Sequence, residues 1–244
     1  MGLSHSPSLV MNGLVLALDA ANPKSYPGSG TTWTDLSGNG NTGTLTNGPT
    51  YSSANSGSIV FDGTDDYITV ANSSSLQNTL SLNSFSITTV SKSIDFTTYP
   101  RSLHPFWIET YALNGTWAIA NRGMSSADGS NGASSYALEV NNGGTYFTGS
   151  VNHNAVASTI YHRTIVIDRT NGFTFKYYVN GIFLGETGST SITGSIYTSG
   201  GMSFGNMYGW TFQGSLYSIS LHSKALTATE VSQNFNATRG RYGI

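Results

Sequence analysis

The chain of 244 residues has no cysteine, only ten lysine and arginine residues, and no apolar run close to the roughly 20 residues of a transmembrane helix. The missing thiols exclude disulfides, thiolate metal sites and a cysteine nucleophile. Because the few basic residues are scattered, the sequence predicts no nucleic-acid partner, and the lack of a long apolar run predicts no membrane association. Residues 1–8 lack a basic segment that leads into an apolar one, so we expect no secretion signal and synthesis in a host cytoplasm.

The abundant residue types favour β-structure. Serine, threonine, asparagine and glycine occupy 36, 30, 21 and 29 positions, nearly half of the chain, and all four are weak helix formers. The hydrophobic content of 38% is enough for one sizeable core, and a net charge of −2 argues against disorder. We therefore predict a single all-β domain.

Local patterns place several elements. Asn180-Gly181 is the dipeptide typical of a type I′ turn, and the alternating residues around it predict a β-hairpin over 173–185. Residues 57–63 and 66–70 predict a pair of strands around the turn at 63–65. Thr227 and Glu230 predict a capping box that starts one short helix. Further strands are predicted at 13–19, 84–90, 105–111, 116–120, 135–140 and 214–222, with a long loop up to residue 50.

Several segments in this order and spacing resemble laminin G-like domains. They are Trp33–Asn41, Ile59–Tyr67, Tyr178–Gly181 and Phe212–Ile219, followed by Ala225–Thr227. The resemblance covers about residues 13–236 and implies a two-sheet antiparallel jelly-roll sandwich of the concanavalin A-like type, with one short C-terminal helix. It does not imply a function, because this fold hosts lectins, glycosidases, adhesion modules and capsid parts.

The two ends of this region carry a narrower resemblance. Gly13–Ala20 and Asn234–Ile244 resemble virion structural proteins of tailed bacteriophages, particularly those of cyanobacteria. From these two resemblances we expect an N-terminal arm (1–12), a laminin G-like domain (13–236) and a C-terminal tail (237–244).

No motif predicts an enzyme. A retaining glycosidase needs two carboxyl groups about 5–5.5 Å apart, and no two of the four glutamates lie within ten residues of each other. Glu109 and Glu139 could meet across a sheet, which the sequence leaves open. The five histidines have neither a Gly-x-Ser-x-Gly nor a His-Glu-x-x-His partner motif.

A calcium site is one interpretation of the loop after Trp33. Asp35, Ser37 and Asn39 stand at the first, third and fifth positions of a segment that resembles the opening of an EF-hand loop. Thr46, however, occupies the position of the bidentate glutamate. The alternative is an Asx-turn network that needs no ion. We therefore expect that the protein requires no cofactor, and Ca²⁺ is the ion to test. A second carboxylate cluster is offered by Asp62, Asp65 and Asp66.

Two further groups of residues are candidates for binding. Trp210, Tyr208 and Asn206 combine aromatic rings with an amide, as a glycan contact requires, although large aromatic residues in a sandwich often belong to the core. Arg239, Arg241 and Tyr242 concentrate interface-prone residue types near the C-terminus and predict an attachment site. The alternative is a tail that folds back over the sandwich.

These observations favour a non-enzymatic structural protein of a tailed-phage virion, as a surface or capsid-decoration component. Its expected partners are other virion proteins or further copies of itself. The alternative is a carbohydrate-binding, receptor-recognition protein of the tail or tail fibre, with a host surface polysaccharide as its partner. A fibre would need an elongated shaft, and the chain has no heptad run or β-helical repeat.

Overall fold

A computed structural model describes residues 8–81, 83–95, 101–102, 106–109, 118–123, 135–142, 145–153, 155–189, 200–207 and 210–244. The first strands and a helix are β1 (Leu14–Asp19), β2 (Thr32–Trp33), β3 (Gly43–Thr46), β4 (Thr50–Ser52), β5 (Ser58–Asp62), β6 (Tyr67–Val70) and α1 (Ser74–Leu80). The middle of the chain gives β7 (Phe85–Asp95), β8 (Arg101–Ser102), β9 (Phe106–Glu109), β10 (Ala118–Gly123), β11 (Ser135–Asn142) and β12 (Thr145–Asn152). The last elements are β13 (Ile160–Asp168), β14 (Phe173–Val179), β15 (Ile182–Ser189), β16 (Met202–Phe204), β17 (Asn206–Met207), β18 (Trp210–His222) and α2 (Ala228–Tyr242).

The strands form two sheets that pack as a jelly-roll sandwich, as predicted. The larger sheet runs β15-β14-β13-β7-β18-β5-β4, and β1 continues the row of β5 along the same edge of β18. The smaller sheet runs β12-β11-β10-β9-β16-β6-β3-β2. Pairing in the described strands is antiparallel except for the short contact of β8 with β18. Long β18 therefore pairs with β7 along one edge and with both β5 and β1 along the other.

The core lies between the facing sides of the two sheets. Strand alternation sends every second side chain inward, which is why serine- and threonine-rich strands still bury an apolar face. The largest fully buried side chains include Trp33, Phe61, Phe173, Phe204 and Phe212. The ring of Phe61 meets that of Phe212 edge to face at 5.5 Å and so joins β5 to β18.

The predicted hairpin is confirmed. Strands β14 and β15 pair around Asn180 and Gly181, whose φ angles of 49° and 76° are those of a type I′ turn. The side-chain oxygen of Asn180 also accepts the backbone N–H of His162 at 3.0 Å. This bond holds the turn against β13.

The predicted pairing of residues 57–63 with 66–70 is wrong, although both strands exist. Strand β5 pairs with β4 and β18 in the larger sheet, whereas β6 pairs with β3 and β16 in the smaller one. The turn at 63–65 therefore crosses from one sheet to the other. Strands β2 and β3 lie in the segment for which the sequence predicted a long loop, and helix α1 lies where no element was predicted.

The capping box of α2 is confirmed. Thr227 Oγ1 accepts the N–H of Glu230 at 3.3 Å, and Glu230 Oε2 accepts the N–H of Thr227 at 2.9 Å. Helix α2 lies on the outer face of the larger sheet, where Val231 and Leu226 are buried with Val10. It continues to Tyr242, so the predicted boundary between domain and tail at 236/237 falls inside the helix.

The described part of the predicted N-terminal arm also packs on the domain. The N–H of Val10 donates to Asn234 Oδ1 at 2.8 Å, and the carbonyl of Val10 faces His222 Nε2 at 2.8 Å. Residues 1–7 lie outside the described residues. Neither α1 nor α2 has the length and apolar composition to cross a bilayer, and the same holds for every helix in the described ranges.

Candidate functional site

The loop that begins at Asp35 is tied to β1 by hydrogen bonds. Asp35 Oδ1 accepts the N–H groups of Ala17 at 2.8 Å and Ser37 at 2.9 Å. Its Oδ2 accepts the hydroxyl of Ser37 at 2.7 Å and the N–H of Asn41 at 2.9 Å. Four donors therefore surround one buried carboxylate.

Ser37 and Asn39, the other two residues of the calcium interpretation, belong to the same hydrogen-bond network. Ser37 Oγ lies 2.8 Å from the carbonyl of Val15, and Asn39 donates its amide N–H to the carbonyl of Leu14 at 3.2 Å. The three side chains thus bond to protein groups of this loop and of β1. The geometry favours the alternative Asx-turn network, which holds the loop on β1, and calcium at these residues stays a prediction.

The second carboxylate cluster lies at the turn between the two sheets. One oxygen from each of Asp62, Asp65 and Asp66 falls within 4.8 Å of the others. Asp62 and Asp65 are exposed, whereas Asp66 is buried and its Oδ2 accepts the N–H of Asp62 at 2.8 Å. Burial raises the pKa of Asp66, and the neighbouring carboxylates add to that effect.

The start of β18 lies beside this turn. Gln213 of β18 is the register partner of Asp62, and a Cβ atom on Gly205 would lie 2.7 Å from the carbonyl oxygen of Asp66. Gly205 has a φ of 105°, so the chain passes here in a conformation that only glycine adopts without strain. Directly after it, β17 and the first residues of β18 form a short hairpin.

That hairpin contains the predicted glycan contacts. Asn206 pairs with Thr211, and Met207 pairs with Trp210. Tyr208 lies outside the described residues. The structure therefore brings the backbone of Asn206 and Trp210 to the same end of the sandwich as the three aspartates. We call residues 62–66, β17 and residues 210–211 of β18 the acidic corner.

One contributor to the acidic corner was not predicted. Asn47 donates its side-chain N–H to the carbonyl of Asp65 at 3.1 Å. Asn47 and Gly48 have φ angles of 66° and 107°, as expected of an Asn-Gly turn. The dipeptide was visible in the sequence, but its position beside Asp65 depends on the pairing of β3 with β6.

The predicted attachment residues lie at the end of α2. Tyr242 is 6% exposed and its ring lies 5.2 Å from that of Tyr217. Arg241 forms an ion pair with Asp19 of β1 at 2.6 Å, and Arg239 is exposed. The end of the chain therefore folds back over the larger sheet, which was the alternative to a free attachment tail. Of the three residues, Arg239 is the one left open to a partner.

The two glutamates considered for catalysis lie on different strands. Glu109 of β9 pairs with Ala118 of β10, and Glu139 of β11 pairs with Ala120 of the same strand. Strand β10 therefore runs between them, and two strand spacings amount to about 9.5 Å. This register offers no support for a retaining carboxylate pair.

Solved structures show the same fold with low sequence identity, and the sequence matches no protein-family model and no curated protein. Domain 4 of AbnA, a GH43 extracellular arabinanase from Geobacillus stearothermophilus, was solved in complex with arabinotriose. It superimposes with a TM-score of 0.65 and 19% identity over 91% of this chain and 97% of that domain.

Two toxin domains are similar to the same degree. The binding domain of Paraclostridial Mosquitocidal Protein 1 has a TM-score of 0.67 and 15% identity over 92% of this chain. The binding domain of Botulinum Neurotoxin DC, in complex with SialylT, has a TM-score of 0.66 and 14% identity over 93%. This chain spans about half of either toxin structure, 52% in both cases. At these identities the comparisons establish the jelly-roll fold.

Proposed function

We propose that the chain is a non-catalytic carbohydrate-recognition domain that binds a polysaccharide at the acidic corner. The observation that carries the proposal is the approach of two independently predicted groups: the aspartates of the turn at 62–66 and the hairpin that contains Asn206 and Trp210. Carboxylates accept hydrogen bonds from sugar hydroxyls, and an aromatic ring offers a stacking surface. A glycan site needs both.

The exposure of the aspartates supports this division of roles. Asp66 is held by the N–H of Asp62 and shapes the turn, whereas Asp62 and Asp65 are exposed. We therefore assign Asp65 and Asp62 to the sugar and Asp66 to the turn. The similar fold of the AbnA domain adds support, because nearly its whole length matches this chain and it was solved with an oligosaccharide.

Affinity electrophoresis in gels that contain arabinan or bacterial surface polysaccharides tests the proposal. We expect at least one polymer to retard the protein, and the variants Asp65→Asn and Trp210→Ala to bind it roughly tenfold more weakly. Glu186→Gln is the matched control, since it removes an exposed carboxylate on β15 and should bind like the parent. Equal retardation of all four proteins, or none for the parent, would refute the site.

The same assay addresses the cofactor and catalysis. The proposal requires no metal, so added EDTA should leave retardation unchanged. A loss on EDTA that calcium restores would instead make the carboxylates ion ligands. Release of reducing ends from the bound polymer by the pure protein would overturn the non-catalytic assignment.

A structural role in a phage virion is the second candidate. It is supported by the residues at the two ends of the domain, Gly13–Ala20 and Asn234–Ile244, that resemble virion structural proteins. Mass spectrometry of purified particles tests it. Hundreds of copies per particle indicate a capsid-decoration component, a handful indicate the tail, and absence from the particle refutes the role.

A further inference from the structure

A cavity of about 170 Å³ lies between the outer face of the larger sheet and helix α2. Its floor consists of small side chains on three neighbouring strands, namely Ala17 of β1, Ser218 and Ser220 of β18, and Thr88 of β7. Side chains of this size do not reach the helix, and a space therefore remains where a larger residue would have filled it.

Apolar side chains surround the mouth of this cavity. Leu9, Met11 and Leu36 line it, and Met11 and Leu36 are 65% and 38% exposed. The N–H of Leu36 donates to the carbonyl of Ala17 at 2.8 Å, so the mouth lies beside β1. The flexible side chain of Met11 adapts its shape to a group that enters.

A second exposed apolar surface lies at the end of the β14–β15 hairpin. Ile182, Phe183 and Leu184 follow one another directly after the turn and are 67%, 49% and 37% exposed. Single exposed apolar residues are common on proteins, whereas a run of three marks a contact with another molecule. We call these three residues the hairpin tip.

The hairpin tip is held in a fixed position. The backbone N–H of Asn180 donates to the carbonyl of His162 at 2.8 Å, and Asn180 Oδ1 accepts the N–H of His162 at 3.0 Å. The ring of Phe183 lies 5.3 Å from that of Tyr178. Ile182, the most exposed of the three tip residues, therefore stands on a rigid turn, and its binding costs little conformational entropy.

The hairpin tip cannot reach the cavity mouth of its own chain. In the larger sheet, strands β14, β13, β7 and β18 separate β15 from β1. Five strand spacings amount to about 24 Å. The tip and the mouth therefore lie towards opposite edges of the sheet, where each can contact a different neighbour at the same time.

The cavity suits an apolar side chain better than a charged one. Asp19 and Arg241 line one end, but they form an ion pair with each other at 2.6 Å. An apolar occupant leaves this pair intact, whereas a charged one would enter without a counter-charge. The size fits as well, since an apolar cavity of about 150 Å³ accommodates benzene and the side chain of isoleucine is smaller than benzene.

The surface available for this contact is small. The exposed fractions of the three tip residues amount to about one and a half whole side chains, or roughly 300 Å² per partner at ~200 Å² each. Stable interfaces bury about 1,200–2,000 Å² in total. We therefore expect a weak contact, which forms at high protein concentration or between copies that are held close together.

We propose that the hairpin tip of one copy docks in the cavity of a second copy, with Ile182 inside the mouth and Phe183 and Leu184 over Met11 and Leu36. The tip and the cavity are different surfaces, so the contact is head to tail and leaves one tip and one cavity open in every pair. Copies therefore add in rows or close into rings instead of stopping at a dimer.

Sedimentation equilibrium of the full chain from about 10 µM to about 1 mM tests the proposal. We expect the parent to exceed the mass of two chains of 25.8 kDa at the upper end of this range. The variants Ile182→Asp and Met11→Asp, at exposed positions of the tip and the mouth, should associate at least tenfold more weakly, because each would bury an unpaired charge. Val156→Asp is the control and should associate like the parent, since Val156 is 63% exposed and belongs to neither surface.

A mixture of the two variants identifies the head-to-tail contact. Ile182→Asp keeps an intact cavity and Met11→Asp keeps an intact tip, so together they should form a heterodimer that grows no further. Its formation also shows that both variants fold.

Three results would overturn the inference. They are a parent that stays at the mass of one chain, a parent dimer that grows no further, and a mixture without heterodimer from variants that both melt cooperatively. The first two are measured on the parent and do not depend on the folding of any variant. The acidic corner takes no part in the contact, so a failure here leaves the glycan proposal intact.

Discussion

The carboxylate of Asp35 accepts the backbone N–H of Ala17 at 2.8 Å, although Asp35 lies in a loop and Ala17 in the first strand. Three further donors, from Ser37 and Asn41, complete its shell. A buried carboxylate with four donors replaces hydration by protein hydrogen bonds and stabilises the loop on the sandwich.

We expect Asp35→Ala to lower the free energy of unfolding by about 3 kcal/mol, because it leaves buried N–H groups of Ala17 and Asn41 without an acceptor. Urea unfolding with and without calcium measures both the loss and any ion effect. Asn39→Ala, at an exposed position of the same loop, is the control and should cost less than about 1 kcal/mol. Calcium stabilisation that disappears in Asp35→Ala would restore the ion-binding interpretation.

The hairpin turn allows strain and steric contact to be separated. Gly181 has a φ of 76°, and a Cβ atom there would lie 2.9 Å from Phe235. Gly30 has a φ of 88° and nothing within 4 Å of the same atom. We expect Gly181→Val to destabilise the protein by well over ~1 kcal/mol and by more than Gly30→Val, because only the former also meets α2. Thermal melts compare them, and equal losses would exclude a contribution from Phe235.

The last turn of α2 should behave as part of the core. Tyr242 is buried against Tyr217 and Val90, so Tyr242→Ala should cost about 3 kcal/mol in urea unfolding. Arg239→Ala removes an exposed side chain that does not belong to that cluster and should be within about 0.5 kcal/mol of the parent. Deletion of residues 239–244 should therefore destabilise the domain strongly. A deletion variant as stable as the parent would return these residues to a free attachment tail.

Stability should fall in mild acid because of His162. Burial lowers the pKa of His162 to about 4 in the folded protein, whereas a histidine side chain in an unfolded chain has a pKa of 6.5. Between these values the unfolded chain binds a proton that the folded protein does not, so the contribution of neutral His162 is complete above pH 6.5 and is lost as the pH falls to about 4. The full loss is on the order of 3 kcal/mol.

The difference between the parent and His162→Gln isolates this effect. We expect the difference in free energy of unfolding to be constant above pH 7 and to shift in favour of the variant as the pH falls towards 4, since glutamine does not titrate there. Denaturant unfolding at several pH values measures it. Parallel curves for the two proteins over the whole range would contradict a depressed pKa at His162.

The fold was predictable where local chemistry fixes it. Asn180-Gly181 determines its hairpin, and Thr227 with Glu230 determines the start of α2, because each signal lies within a few residues. Helix α1 has only a serine cap at Ser73 as a local signal, and it forms because Leu76 and Leu80 are buried by the rest of the domain. Strand β3 is short and depends on its pairing with β6, which no local pattern reveals.

The candidate site shows the same division. The aspartates at 62–66 and the hairpin residues Asn206 and Trp210 were each visible as groups. Their approach depends on the register between β5 and β18, in which Asp62 pairs with Gln213, 151 positions later in the chain. The cavity beneath α2 could not be predicted. It results from small residues on three strands that become neighbours only in the folded larger sheet.

The junction between the N-terminal segment and α2 has a mechanical consequence. Ser8 accepts from Gln233, and Val10 is bonded to Asn234 and His222, so both outer segments are anchored on one face of the sandwich. About 15 Å of helix separates Gln233 from the end of the chain. A pull between these two segments would therefore load these hydrogen bonds together with the Arg241–Asp19 ion pair and the packing of Tyr242 on Tyr217 before it reached the pairing of the strands. Under tension the domain would act as a short, stiff link and not as an extensible spacer.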